Sequence, residues 1–303
     1  GFTNDGKLDP DMVRELGYED FLDWYERAYR KSRERMTPQE RENWDAVFGP
    51  INEAFRELKP QGDDLTRWKY QRYMQDYLSS IDSVDDNIGR LLDYLDESGL
   101  AENTVVVYTS DQGFYLGEHG WFDKRFMYEE SFRSPLIVRW PGTVEPGSVS
   151  EELVQNIDFA PTLLDVAGVD VPQDMHGVSM APILAGEGGE IHDALYYHYY
   201  EYPGWHMIHK HEGAYDGRYK LMYFYELDEW ELYDTKTDPK EMQNQYENPE
   251  YAAVVKRMHA KLNQLREQYD LPENEIQDLN NIDRSYHSDE QRKRALEKQA
   301  KGK

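Results

Sequence analysis

The chain has 303 residues, 39% hydrophobic and 31% charged, which suits one large or two medium globular domains with a buried core. Its net charge of -26 repels nucleic acid and anionic membrane surfaces, and no apolar run is long enough to span a bilayer. It has no cysteine, which excludes a disulfide, a thiolate metal site and a cysteine nucleophile.

The first residue is Gly1 and no signal peptide follows it, so the sequence reads as processed, truncated or excerpted from a longer protein. In DFLDWYERAYRKSRERM, Phe21, Leu22, Tyr25 and Tyr29 recur at helical spacing. Loops are expected around FGP and KPQGDD, and Asp64 or Thr66 is placed to cap the next helix. That helix is long: Met74, Tyr77, Leu78, Ile81, Val84, Ile88, Leu91, Leu92 and Leu95 form a stripe that predicts packing against a sheet, and Gly99 ends it.

TVVVYTS and SPLIVRWPG are continuous apolar runs, which predicts two strands buried on both faces. DFAPTLLDVAG reads as a helix with Asp158 as N-cap, Pro161 in its first turn and Gly168 at its end. Helix, strand, strand and helix in this order predict an α/β sandwich with a mostly parallel sheet. After about residue 190 the texture changes to short aromatic alternating segments, which predict an antiparallel sheet. A helix follows, with Tyr251, Val254, Val255, Met258, Leu262 and Leu265 on one side. The expected organisation is an α/β domain over 1–190, a small α+β subdomain over 191–275 and a charged tail over 276–303.

The chemistry gathers in VVVYTSDQGFYLGEHGWFDKR. Ligands of an open parallel sheet sit at the carboxyl ends of its strands, where Asp111 and Gln112 stand. A carboxylate and an amide oxygen suit calcium or magnesium better than zinc. The loop glycines let backbone approach a ligand, Lys124 offers a point charge to an anion, and His119 offers a titratable donor. The residues alone point to a hard metal ion and an anionic substrate. The spacings of His198, His206, His209 and His211 fit no standard metal-ligand frame.

YTSDQGFYLGEHGWFDKRFMYEES resembles the second signature region of the type I sulfatases of the alkaline phosphatase superfamily. SPLIVRWPG, VQNIDFAPTLLDVAGVDVPQDMHGVSMAPILAG and GRYKLMYFY with EWELYDTKTDPKEMQN resemble later segments of that family in the same order, over residues 60 to 270. The look is nearest to enzymes of sulfated sugars, such as the N-acetylglucosamine-6-sulfatases and iduronate-2-sulfatases. The resemblance implies an alkaline-phosphatase-like fold and hydrolysis of sulfate esters in a sulfated sugar or glycosaminoglycan. It also implies a periplasmic, extracellular or lysosome-like location.

By position, it implies that Asp111 and Gln112 are Ca2+ ligands and that Lys124 contacts the sulfate. His119 would lie at the pocket rim, facing substrate or holding the loop, and Tyr202, Trp205 and His206 would meet the glycan. The family's nucleophile is a formylglycine made within a Cys/Ser-x-Pro/Ala-x-Arg motif. That motif does not occur in this sequence, and neither do the family's paired N-terminal aspartates. The expectation is therefore a C-terminal portion of a sulfatase without its nucleophile half. The alternatives are a phosphate or phosphonate monoester hydrolase of the same superfamily, or a non-catalytic chain that binds glycan.

Overall fold

The structure, a computed structural model, describes residues 29–202 and 208–270. Most of the expected first helix, the charged tail, Trp205 and His206 lie outside the described residues. Residues up to Tyr94 and residues from Leu95 onward fall in two units, each described by itself.

In the first unit, α1 (Pro38–Leu58) starts on a capping box: Thr37 Oγ accepts the Glu40 N–H at 3.3 Å, and Glu40 accepts the Thr37 N–H at 2.7 Å. The sequence suggests a loop at FGP, but Pro50 lies inside this helix. Before the proline Trp44 packs on Phe48 with centroids 4.0 Å apart, and after it Phe55 packs on Trp68 of the following helix at 4.3 Å. The next helix, α2 (Gly62–Glu97), begins before the expected caps, with Asp63 and Asp64 in its first turn, where carboxylates complement the helix dipole. Its stripe stays open among the described residues: Leu78 is 54% and Leu91 55% exposed.

The second unit carries the loop of interest. Strands β1 (Val106–Thr109) and β4 (Leu136–Arg139) pair antiparallel, with Val107 opposite Val138 and Thr109 opposite Leu136. The expectation for these runs, two strands of a parallel sheet covered on both faces, is corrected locally. Every pairing among the described residues is antiparallel, and Ile137 is 65% exposed. Apolar runs signal cover on both faces, and the described residues supply none here. Between the two strands lie β2 (Tyr115–Leu116) paired with β3 (Phe122–Asp123), and the single turn α3 (Glu129–Phe132).

Helix α4 (Phe159–Val166) and the short α5 (Ala181–Leu184) follow. Asp158 is fully buried but makes no cap bond to α4. Its carboxylate instead accepts the N–H of Gln155 at 2.8 Å and of Val178 at 2.9 Å, and meets His192 Nε2 at 2.9 Å. It thus staples the 176–180 turn to the start of α4. Gly177 is required there, because an added Cβ would lie 1.9 Å from the Ile157 carbonyl oxygen.

The C-terminal sheet is an antiparallel meander, β5 (Leu195–Tyr199), β6 (His211–Tyr215), β7 (Tyr219–Phe224) and β8 (Glu229–Asp234), as the alternation predicts. Period-two alternation sorts its side chains onto two faces. Ala214, Leu221 and Leu232 meet Met258, Leu262 and Leu265 of α6 (Ala252–Gln268). Met222, Phe224 and Tyr233 meet Phe126, Met127, Tyr128 and Phe132, the residues that leave the glycine-rich loop. Gly213 lets Met127 lie on the sheet, since a Cβ there would sit 2.5 Å from its sulfur. Lys220, fully buried, donates to Glu129 at 2.7 Å and meets Glu241 at 2.8 Å. Its ammonium lies 5.0 Å from the Phe132 ring centroid.

On the same face His211 is fully buried among Phe224, Phe126, Tyr197 and Tyr199. Its Nδ1 lies 2.9 Å from the His209 carbonyl oxygen, while Nε2 has no hydrogen-bond partner among the described residues. Burial holds the imidazole neutral and pushes its pKa down to about 4. Because the folded pKa lies below the unfolded one, its contribution to stability is complete above the unfolded value of about 6.5 and is lost as pH falls towards 4. We expect unfolding titrations at pH 7 and pH 4.5 to differ less in His211→Phe than in the native chain, by on the order of 2–3 kcal/mol. An unchanged pH dependence would remove His211 as its source.

Candidate functional site

The glycine-rich loop leaves β1 at Ser110 and returns to the sheet at Phe126. Asp111, exposed, and Gln112, half-buried, stand at the carboxyl end of β1 as the sequence predicts. Immediately afterwards the chain is pinned: Gly113 donates its N–H to the Ser131 carbonyl at 2.8 Å. That approach is possible only for glycine, because a Cβ would lie 2.1 Å from the Glu130 carbonyl oxygen and 2.7 Å from that of Arg133.

At the far end of the loop, Lys124 stands between two residues in the left-handed region, Asp123 at φ 88° and Arg125 at φ 105°. Strain of this kind persists only where surrounding contacts over-determine the backbone. Here they do: Asp123 and Arg125 form an ion pair, the Arg125 N–H donates to Ser131 Oγ at 2.9 Å, and the Arg125 carbonyl accepts the Tyr197 hydroxyl. Lys124 itself makes no ion pair among the described residues. The turn thus sets its flanking charges against each other on either side of Lys124.

His119 also has positive φ, at 54°. Its ring stacks on Tyr128 with centroids 4.5 Å apart and meets Tyr115 edge-on at 6.1 Å. Its Nε2 faces Glu130 at 3.5 Å, and its side chain is only 13% exposed. Tyr128 in turn donates to Glu231 at 2.8 Å. Burial pushes the Glu231 carboxyl up from its usual range. The His119 ring is thus closed in by Tyr115, Tyr128 and Glu130.

The structure places Tyr202 just beyond β5, stacked on His209 at 4.4 Å, with His209 Nδ1 3.5 Å from Glu226. His198 meets the Tyr225 hydroxyl at 3.1 Å. Sequence reasoning missed Ser131, Glu130, Lys220 and His192. The part played by Ser131 depends on contacts that no spacing reveals.

Asp111 and Gln112 offer hard oxygens, the right kind of donor for calcium, but calcium takes about six to eight. The described residues hold no group of three or more His, Asp or Glu able to bind a metal. The pair fits such an ion in chemistry and supplies only part of its shell.

Comparison with known proteins adds the lineage. The family model described as Sulfatase matches residues 20–169, and the one described as N-sulphoglucosamine sulphohydrolase, C-terminal, matches residues 117–268. The chain belongs to the sulfatase family. An N-acetylglucosamine-6-O-sulfatase of Bacteroides thetaiotaomicron is 49% identical over 239 residues, covering 78% of this chain and 43% of that protein. The human N-acetylglucosamine-6-sulfatase is 44% identical over 106 residues, 34% of this chain and 19% of that protein. A solved structure in complex with its substrate, D-glucosamine-2-N,6-O-disulfate, superposes with a TM-score of 0.80 at 43% identity, covering 91% of this chain and 56% of that one. This likeness places the chain in the α/β sulfatase fold, and the chain spans about half the length of the bacterial enzyme and of that solved chain.

Gly113→Ala tests the pinning of the loop. Steric overlap with two carbonyl oxygens should destabilise the unit by about 1–3 kcal/mol and displace Gln112. Denaturant melting would read the loss, and an unchanged midpoint would contradict the packing described.

Proposed function

We propose that this protein hydrolyses the 6-O-sulfate ester of glucosamine residues in sulfated glycans. The observation that carries the reading is the 49% identity to an N-acetylglucosamine-6-O-sulfatase, together with the 0.80 superposition on a structure bound to a 6-O-sulfated glucosamine. In this reading Asp111 and Gln112 hold calcium together with ligands outside these residues. When bound, calcium offsets negative charge on the sulfate oxygens. Lys124 contacts a sulfate oxygen from the strained turn and contributes a fixed positive charge in a strongly acidic chain.

His119, closed in by Tyr128 and Glu130, fixes the loop. Tyr202, Trp205 and His206 are proposed for the sugar, with tyrosine and tryptophan rings as stacking faces. The formylglycine nucleophile belongs to residues other than these, since its precursor motif is absent from the sequence.

A second reading rests on a phosphonate monoester hydrolase of Agrobacterium radiobacter, which superposes with a TM-score of 0.57 at 27% identity over 62% of this chain and 40% of that one. One assay separates the two. The intact enzyme is given glucosamine 6-O-sulfate, a phosphonate monoester, and glucosamine sulfated elsewhere. We expect sulfate release from the first to dominate, to vanish with a calcium chelator and to return with calcium. Lys124→Ala should lower kcat/KM by about 10²-fold, and Asp111→Asn should raise the calcium needed for half activity. Preference for the phosphonate would overturn the sulfatase reading. Full activity in Lys124→Ala would overturn the role of the lysine.

A further inference from the structure

We propose that Ser131 is the positioning residue that locks the metal-ligand end and the anion-contacting end of the loop into one frame. The proposal rests on the roles given above to Gln112 and Lys124, and deepens them. Ser131 is buried, 5% exposed, in the single turn α3. Its carbonyl accepts the Gly113 N–H at 2.8 Å, and its hydroxyl accepts the Arg125 N–H at 2.9 Å. These two N–H groups belong to the peptide units that directly follow Gln112 and Lys124. A peptide unit is planar, so fixing its N–H fixes the orientation of the backbone leaving the preceding residue. One residue therefore sets the backbone at both ends of a loop that is otherwise rich in glycine.

The rest of the local structure agrees with this assignment. Lys124 is flanked by Asp123 and Arg125, both strained, and such a turn relaxes unless it is held. Arg125 is held on both sides, by Ser131 at its N–H and by Tyr197 at its carbonyl. The turn that carries Ser131 is itself anchored, because Lys220, fully buried, grips the neighbouring Glu129 at 2.7 Å. Ser131 thus transmits the position of the C-terminal sheet to both functional ends of the loop. Its two contacts are also separable: Ala removes the hydroxyl and keeps the carbonyl.

The test uses Ser131→Ala and Ser131→Cys in the intact enzyme. Cysteine retains most of the volume but is a weak acceptor. Amide hydrogen exchange should show Arg125 exchanging about tenfold faster in both variants, with Gly113 unchanged. With 6-O-sulfated glucosamine as substrate, kcat/KM should fall about tenfold in both, while the calcium concentration for half activity stays within about twofold. Ser131→Ala combined with Lys124→Ala should be no worse than Lys124→Ala alone, since the serine acts through the lysine.

Additive losses in the double variant would overturn the proposal. So would wild-type activity in Ser131→Cys beside a defect in Ser131→Ala, because the volume and not the hydrogen bond would then matter. If the unmodified enzyme hydrolyses no sulfate ester, the proposed function falls. The exchange of the Arg125 amide then still decides whether the Ser131 hydroxyl holds that end of the loop.

Discussion

The seat of Met127 on the C-terminal sheet governs the placement of the loop. Its sulfur occupies the space that a side chain at Gly213 would fill, and its neighbours Phe126, Tyr128 and Phe132 spread over the same face. An apolar seat by itself tolerates sliding. Lys220 removes that freedom, because a fully buried ammonium must keep Glu129 and Glu241 within reach. Such a buried pair adds little net stability, yet losing one partner leaves an uncompensated charge. It therefore acts here as a register pin between α3 and β7, and the loop inherits its position from α3 through Ser131.

That inheritance matters because the protein is acidic. A net charge of -26 repels an anionic substrate at long range, although salt screens this beyond about 8–10 Å. Any attraction has to be local and correctly aimed. The Asp123–Arg125 pair cancels two charges beside Lys124, which keeps the lysine's own carboxylate neighbour occupied. A lysine on a flexible turn would find other carboxylates in such a chain. The strained backbone around residues 123–125 therefore fixes where this one cation leaves the chain.

The sequence reveals the elements with strong periodicity and obscures those that depend on contact. The C-terminal meander and α6 are legible because alternation and a helical stripe each assign a face, and both faces are filled in the structure. The proline helix α1 is not, since Pro50 signals a break and the helix nonetheless runs through it to Leu58. The apolar runs of β1 and β4 identify strands but not their orientation, which depends on partners. Asp158 reads as a cap from its place before Pro161, while its carboxylate actually serves Gln155, Val178 and His192 across distant positions in sequence. The loop shows the same pattern. Asp111, Gln112, His119 and Lys124 are visible as chemistry, whereas Ser131 acts through a main-chain carbonyl and a single hydroxyl.

The two family models overlap across residues 117–169, the stretch that joins the loop to both of its supports. Upstream of that overlap lie β1 and the metal-ligand candidates; downstream lies the sheet with no candidate metal ligand. The contacts explain why these parts form one functional unit. Tyr128 donates to Glu231 of β8, Tyr197 of β5 holds the Arg125 carbonyl, and Lys220 of β7 holds Glu129. Three strands of the meander each contribute one polar contact to a segment of five residues, Arg125 to Glu129. Each contact lies where water is largely excluded, so a displaced partner leaves a buried polar group unsatisfied. The small sheet thus sets the turn that carries Lys124, by making one conformation of that turn cheaper than its alternatives.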